Sequence, residues 1–180
     1  VKESGYGIVP TSSTTAQLCL GDALAITSMQ DKKFSKLDFK KFHPAGNLGR
    51  KLKTVEDLML IKNKIPFIND NANMRSALNL IISKKLGLLI VKNKTGTTIG
   101  MFTDGDMKRL VKKNKNFYDL KINKIMNKNP ISVEKDMLAA KALSIMSNKK
   151  ITSLCVHKSK NKKKTIGVLH IHSILNAQVQ

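Results

Sequence analysis

A run of hydroxyl side chains near the start of the chain is the first group that could perform chemistry. Five consecutive hydroxyls, Thr11 to Thr15, follow Pro10 in the stretch PTSSTT. At the start of a helix, such hydroxyls and the free backbone N–H groups meet the positive end of the helix dipole, which suits a phosphate. Alternatively, one hydroxyl caps the helix and the others are loop residues. The candidate ligands are Ser12, Ser13, Thr14 and Thr15.

A histidine in the stretch FHPAGNLGRKL, residues 42 to 52, is the second candidate. Histidine titrates near neutral pH and can move protons. The proline that follows His43 favours an extended backbone, in which the ring can be held in place for catalysis. The alternative is a hinge histidine that bonds a backbone carbonyl, with Gly46 and Gly49 turning the chain between two domains.

Two histidines near the C-terminus, His170 and His172, have the spacing H-x-H. On a strand the two rings would share one face and could hold a metal ion. His157 is the only other histidine nearby in the sequence, and no third or fourth ligand has suitable spacing. We therefore expect no metal site and interpret the pair as the end of a strand.

The net charge of +21 bears on possible partners. Arginine occurs only at Arg50, Arg75 and Arg109, and the remaining cations are lysines spread along the chain. Base recognition favours arginine, and single-strand binding favours aromatic side chains, so nucleic acid is not the expected partner. No apolar run reaches the roughly 18 residues that cross a membrane, and no membrane association is expected.

The two cysteines indicate the cellular setting. Cys19 and Cys155 both lie in apolar runs, AQLCLG and TSLCV. A free cysteine behaves as a small buried hydrophobe, and disulfides are rare in the cytoplasm. We therefore expect two core thiols in a cytoplasmic protein.

The elements that must position these residues begin with an internal repeat, from about 54 to 113 and from 122 to 179. Both copies have the pattern strand, helix, strand, strand, helix. The helices are NMRSALNLIISKK and DMLAAKALSIMSNKK, with apolar residues at helical spacing, and apolar runs such as LGLLIV and ITSLCV favour strands. A unit with three short strands cannot cover both faces of its sheet alone, whereas two packed units can.

This repeat resembles the CBS domain pair, or Bateman module. The resemblance rests on the shared element order and on Gly100 and Gly167, each followed by two apolar residues. It implies one CBS domain at 54–115 and a second at 120–180. It also implies a cleft that takes a regulatory nucleotide or sugar nucleotide, with no cofactor required.

The stretch GMFTDGD resembles the nucleotide-binding pattern of CBS domains through Gly100, Thr103 and Asp106. An aspartate in the first turn of a helix can accept both ribose hydroxyls, and a neighbouring threonine with the helix N-terminus can contact phosphate. The alternative is that Asp106 only favours the helix start. The second copy has His170 and Ser173 in place of the threonine and the aspartate, so at most one good nucleotide site is expected. Plausible wall residues are Ile65, Pro66 and Thr152.

The front part of the chain predicts two helices. The first, within VPTSSTTAQLCLGDALAITSM, is apolar on nearly every side, which is typical of a buried helix. The second begins at Ser35, with Asp38 three residues later, and ends before FHP. Because about fifty residues cannot surround a buried helix, we expect the end of a larger α/β domain whose first part precedes Val1.

The two front motifs, in this order ahead of a CBS pair, closely resemble the D-arabinose 5-phosphate isomerases of the KpsF/GutQ family. The implied fold class is α/β and α+β: the tail of a doubly wound sugar-isomerase (SIS) domain at 1–50, followed by the tandem CBS pair. Enzymes of that family interconvert D-ribulose 5-phosphate and D-arabinose 5-phosphate and supply Kdo for lipopolysaccharide synthesis. They are typically tetramers with active sites at subunit contacts.

The resemblance gives roles to both front motifs. His43 matches the histidine of the HPxG motif, which is expected to act in the active site, and the hydroxyl run matches the loop near the bound sugar phosphate. The family's lysine and glutamates are expected before Val1, so the chain is interpreted as N-terminally truncated and inactive alone. The alternative is a stand-alone CBS-pair sensor that binds a nucleotide or sugar nucleotide without catalysis.

Overall fold

The computed structural model describes residues 2–3, 7–43, 45–113, 116–158, 161 and 163–179. The chain divides into two compact units, Val1–Pro44 and Ala45–Gln180. Among the described residues, no helix combines the length and the apolar character that a membrane span requires.

The first unit contains helices α1 (Ser12–Asp31) and α2 (Lys36–Phe42). Helix α2 begins as predicted, because Ser35 and Asp38 cap it reciprocally: each side chain bonds the other residue's backbone N–H. Neither helix has a buried residue. Burial of α1 within a larger α/β domain therefore stays a prediction, since the described part of the first unit offers little besides α2 to pack against.

The cysteine prediction is half correct for the same reason. Cys155 is buried in the second unit, whereas Cys19 lies on α1 and is exposed. Apolar side chains of α1 are also more than half exposed, namely Leu18, Leu20, Leu24 and Ile26.

Both repeats of the second unit follow the predicted order of elements. After the linker helix α3 (Gly46–Lys51), the first repeat contains α4 (Val55–Leu58), β1 (Leu60–Ile61), a 3-10 turn (Lys62–Lys64), β2 (Phe67–Asn69), α5 (Met74–Lys84), β3 (Leu88–Lys92), β4 (Thr98–Thr103) and α6 (Asp104–Lys113). The second repeat contains α7 (Ile122–Ile125), β5 (Ser132–Glu134), α8 (Ala139–Lys149), β6 (Ser153–His157), β7 (Thr165–His170) and α9 (Ile171–Asn176).

The two repeats form separate sheets with the same strand arrangement, and the opening segment of each repeat pairs with the last strand of the other. β2 runs parallel to β3, which pairs antiparallel with β4, and β5, β6 and β7 repeat this pattern. β1 adds to the second sheet by antiparallel pairing with β7, with Leu60 opposite Val168. The matching exchange is a bridge between Met101 of β4 and Asn127, just after α7. Each repeat therefore supports the last strand of the other.

Helices α5 and α8 occupy equivalent places and end in the same way. Each ends at a lysine in the left-handed conformation, Lys85 (φ 54°) and Lys150 (φ 52°), after which the chain turns into a buried strand. Their buried residues recur at helical spacing: Met74, Ala77 and Ile81 in α5, and Ala139, Ala142 and Met146 in α8.

Apolar packing joins the two repeats. Each repeat has its own core, and a third cluster lies between them, with Ile65, Leu88, Ile90 and Met101 from the first repeat and Cys155 and Val168 from the second. The hydroxyl of Thr98 also donates a hydrogen bond to that of Thr165 at 2.8 Å. These two threonines begin the equivalent strands β4 and β7, as expected for two copies packed around a pseudo-twofold axis.

Candidate functional site

A cavity of about 510 Å³ lies between the two repeats of the second unit. This volume is in the range of small-molecule sites. Apolar side chains such as Met101 and Ile131 form part of its surface, and Arg109 and Lys150 bring two cations to it. Other polar lining residues are Thr103, Asp104 and Asp106 from the first repeat, and Asn127, Thr152, Ser153 and His170 from the second.

The structure brings the predicted pair Thr103 and Asp106 together at the end of β4. One carboxylate oxygen of Asp106 accepts hydrogen bonds from the Thr103 N–H (2.9 Å) and hydroxyl (2.7 Å). The Asp106 N–H donates in return to the threonine hydroxyl at 3.3 Å. The other carboxylate oxygen accepts from Arg109, whose side chain is exposed. Asp106 therefore starts helix α6 and also lines the cavity, so both interpretations of its role fit the geometry.

The equivalent position in the second repeat is built differently. His170 ends β7, and its Nδ1 accepts a hydrogen bond from the His172 N–H at 3.3 Å, which caps α9. Burial, and then the nearby His172, lower the pKa of His170. Ser173 stands where the first repeat has Asp106, so no carboxylate is available there for a ribose.

The H-x-H pair spans a strand–helix junction rather than one strand face. The rings of His170 and His172 are stacked 5.0 Å apart. His157 is buried, and its Nδ1 lies 3.0 Å from the backbone oxygen of Lys158. Within the described residues, no group of three or more potential metal ligands occurs.

The residues predicted to form the wall of the cleft lie partly on the cavity and partly in the core. Thr152 lines the cavity. Ile65 is buried in the apolar cluster between the repeats, and Pro66 is buried beside it in the sequence. Ile65 and Pro66 therefore lie in the core and do not line the cavity.

A carboxylate occupies the N-terminus of α1, where the sequence predicted a phosphate. Glu3 accepts hydrogen bonds from the backbone N–H groups of Thr11 (2.6 Å), Ser12 (2.8 Å) and Ser13 (3.0 Å). The Ser13 side chain, the Thr11 backbone and further hydrogen bonds lower the pKa of Glu3 to about 2. The site holds an anion, as the helix dipole favours, but the anion belongs to the chain itself.

Two hydroxyls of this helix start bond within their own turn. Thr14 and Thr15 donate to the Thr11 carbonyl at 2.8 Å and 3.0 Å. The contacts described for this cluster and those described for His43 share no residue. The structure therefore presents them as two candidate groups.

His43 ends α2 and is exposed. Its ring stacks on Phe39 at a centroid distance of 4.0 Å, and its Nδ1 lies 3.2 Å from the Phe39 carbonyl oxygen. A carbonyl only accepts hydrogen bonds, so the tautomer with its proton on Nδ1 is the one that can use this contact. The backbone of His43 has φ −126° and ψ 67°, which is not the extended conformation that the following proline was predicted to favour. Pro44 itself lies outside the described residues.

Sequence reasoning missed Glu3, Ser153 and the two cations that line the cavity, Arg109 and Lys150. Glu3 gave no local signal, because it stands eight residues before the hydroxyl run that it caps. Ser153 lines the cavity and its hydroxyl is buried without a hydrogen-bond partner among the described residues. The signal that could have found it is a serine within the otherwise apolar strand SLCVH.

Comparison with known proteins identifies the second unit. A sequence model of the CBS domain matches residues 55–113 and 122–180. The chain belongs to the CBS-domain family. The predicted CBS pair is thereby confirmed, and the cavity lies between its two domains.

Curated relatives extend the likeness beyond the CBS pair. The chain is 39% identical over 174 residues to arabinose 5-phosphate isomerase KdsD of Salmonella typhi, and the same values apply to KdsD of Francisella tularensis. KdsD of Escherichia coli K12 is 38% identical over the same length. These alignments cover 96% of this chain and 52% of each relative, so the chain spans about half their length.

Solved structures of CBS proteins share the fold of the second unit. A CBS-domain protein of Agrobacterium tumefaciens is 17% identical with a TM-score of 0.64, covering 71% of this chain and 94% of that one. CBSX2 of Arabidopsis thaliana, solved in complex with AMP, is 22% identical with a TM-score of 0.59, covering 71% of this chain and 96% of that one. These TM-scores show that the second unit has the CBS fold.

Proposed function

We propose that this chain is the C-terminal portion of a sugar-phosphate isomerase that interconverts D-ribulose 5-phosphate and D-arabinose 5-phosphate and supplies Kdo for lipopolysaccharide synthesis. The observation that carries the proposal is the 39% identity to KdsD along 96% of the chain. Residues 1–50 would end the SIS domain, and 54–115 and 120–180 would form the CBS pair. The intact enzyme is proposed to be a cytoplasmic homotetramer.

His43 is proposed to move the proton between C1 and C2 of the sugar. Aldose–ketose exchange passes through an enediol and needs a group that takes and returns this proton. With Nδ1 protonated toward the Phe39 carbonyl, the neutral ring carries its lone pair on Nε2. Stacking on Phe39 fixes the ring plane. This tautomer and this orientation would suit a general base and support the proposed role.

Ser12, Ser13, Thr14 and Thr15 are proposed to lie near the bound sugar rather than its phosphate. Glu3 is anionic at neutral pH, since its pKa is about 2, and it already bonds the free N–H groups of α1. A phosphate dianion placed beside it would be repelled. Sugar hydroxyls, which both donate and accept, suit this mixture of carboxylate and hydroxyl groups better.

The CBS cleft is proposed to bind a regulatory nucleotide or sugar nucleotide at Thr103 and Asp106. Support comes from the cavity itself, which brings a carboxylate for ribose hydroxyls and the cations of Arg109 and Lys150 for phosphate into one lining. The likeness in fold to CBSX2, solved with AMP, makes AMP a suitable first probe.

The isomerase proposal is tested with the 180-residue chain and with the intact protein that contains it. The chain alone is expected to lack isomerase activity, because one histidine and a few hydroxyls do not supply acid, base and ring-opening groups together. The intact protein is expected to be active. Isomerisation by the 180-residue chain would contradict the assignment of the missing groups to another segment.

The nucleotide proposal is tested by titrating AMP into wild type and Asp106→Asn. Asparagine keeps a helix cap but removes the charge and one acceptor, so the affinity for AMP should fall about tenfold or more. Ser173→Ala, at the equivalent position of the second repeat, is the matched control and should bind as wild type does. Equal affinity of Asp106→Asn and wild type would refute a ribose contact at Asp106.

A stand-alone CBS sensor without catalysis is the second candidate. It is favoured by the cleft, which lies wholly within the second unit and needs no other segment to form. The two candidates differ in one property: only the first predicts isomerase activity for the gene product that contains this chain.

A further inference from the structure

We infer that the hydroxyl of Ser153 binds the nucleobase of the ligand in the CBS cleft and sets which nucleotide is preferred. This inference rests on the proposed nucleotide site. Ser153 is only 7% exposed, and its Oγ is buried without a hydrogen-bond partner among the described residues. A buried hydroxyl with no partner loses its hydrogen bonds to water, so a ligand that restores one would bind with that advantage.

Strand geometry directs the Ser153 side chain to the space between the repeats. Successive side chains of a strand point to opposite faces, so Ser153 shares a face with Cys155. Cys155 belongs to the apolar cluster between the two repeats, whereas Leu154 belongs to the core of the second repeat. Ser153 therefore faces the inter-repeat side, where it lines the cavity.

The position of Ser153 distinguishes the two repeats. Ser153 lies opposite His170 in the β6–β7 pair, and the equivalent residue in the first repeat is Leu88, opposite Thr103. Leu88 is buried and packs in the cluster between the repeats. An apolar residue fills this place in one repeat, so the strand does not need a hydroxyl here for its fold.

The placement of Ser153 on the cavity wall suits a base rather than a ribose. Asp106 and Thr103 line the cavity from the first repeat, and Ser153 lines it from the second. In the proposed pose the ribose lies on Asp106 of the first repeat and the base lies against Ser153 of the second. A serine hydroxyl both donates and accepts, so it can pair with a ring nitrogen, a carbonyl or an amine at a base edge.

The test compares wild type and Ser153→Ala of the 180-residue chain with AMP, GMP, CMP and UMP. These probes share ribose and phosphate and differ in their base edges. The alanine variant should bind the preferred nucleotide about tenfold more weakly, and the four affinities should converge. Its melting temperature without ligand should rise by about 1–3 °C, because the substitution removes a buried hydroxyl that has no hydrogen-bond partner.

A matched control is Thr165→Val, which removes a buried hydroxyl that is hydrogen-bonded to Thr98. It should lower the melting temperature and leave all four affinities unchanged. An unchanged nucleotide ranking in Ser153→Ala, or a lower melting temperature, would overturn the role of Ser153. That result, combined with loss of binding in Asp106→Asn, would leave the nucleotide site in place. No binding of any probe by wild type would overturn the nucleotide site itself and this inference with it.

Discussion

Single residues explain why a candidate ligand site could be proposed but not proved from the sequence. Three pairs with the pattern Ser/Thr-x-x-Asp form the same reciprocal cap at a helix start, namely Ser35–Asp38, Thr54–Asp57 and Thr103–Asp106. The sequence could not separate the structural role from the ligand role, because the same atoms serve both. Only the third pair lines the cavity.

His43 gives the first prediction at this scale. In the intact protein, His43→Ala should lower turnover by about 100-fold or more, since removal of a general base costs on this order. The melting temperature should change little, because the side chain is exposed and contacts mainly Phe39. Turnover and thermal unfolding of the same preparations would show both effects, and wild-type turnover in the variant would contradict the catalytic role.

The two cysteines give a second prediction. Cys19 is exposed, whereas Cys155 is buried and burial raises the pKa of its thiol to about 11. Since the thiolate is the reactive form, a colorimetric disulfide reagent at pH 8 should modify one thiol per native chain quickly. Cys19→Ser should remove this fast phase and Cys155→Ser should not. Fast modification of both cysteines in the folded chain would argue against the packing between the repeats.

At the scale of elements, the close approach of two segments explains the repeated glycines. A Cβ on Gly100 would overlap the Met126 side chain and lie 2.9 Å from the backbone oxygen of Asn127. A Cβ on Gly167 would overlap the Met59 side chain and lie 3.2 Å from the backbone oxygen of Leu60. Because neither glycine has a side chain, the segment from the other repeat can approach the strand closely.

This geometry predicts unequal costs for alanine at the two positions. Gly100→Ala should destabilise the chain by about 1–3 kcal/mol, because the nearby backbone oxygen cannot move as a flexible side chain can. Gly167→Ala should cost less, since its backbone contact is longer. Gly105→Ala, where a Cβ would meet neighbours at 3.6 Å, is the control and should not destabilise the chain. Urea unfolding measures all three, and equal stabilities would refute the close approach.

Helices with a regular apolar spacing could be predicted from the sequence, whereas burial that depends on other segments could not. The apolar spacing of α5 and α8 located both helices and much of their buried faces, because each helix packs on strands that follow it closely in the sequence. Ile82, which has the same spacing, is exposed. Helix α1 has an equally clear apolar composition, yet none of its residues is buried. The composition of a helix shows which side chains could be buried, whereas the surrounding elements determine which side chains are buried.

At the scale of the whole molecule, the core belongs to the second unit. All three apolar clusters are built from residues between Val55 and Val179. The net charge of +21 is carried mainly by lysines, which suit solubility and weak association with anions rather than base recognition.

This distribution predicts that residues 45–180 fold alone. The melting temperature of that fragment should lie within about 2 °C of the value for the 180-residue chain, because the first unit contributes no helix with a buried residue. The fragment should also aggregate less, since the exposed apolar side chains of α1 are removed. Calorimetry and light scattering measure these properties. A fragment that is unfolded or much less stable would contradict the division into two units.

Proton NMR of the intact protein with D-ribulose 5-phosphate in D₂O tests the isomerase proposal. D-arabinose 5-phosphate should appear as the aldose product, with solvent deuterium at C2 to the extent that the transferred proton exchanges with solvent. The 180-residue chain alone should give no product. Absence of conversion by the intact protein, or formation of a different aldose, would contradict the proposed isomerase function.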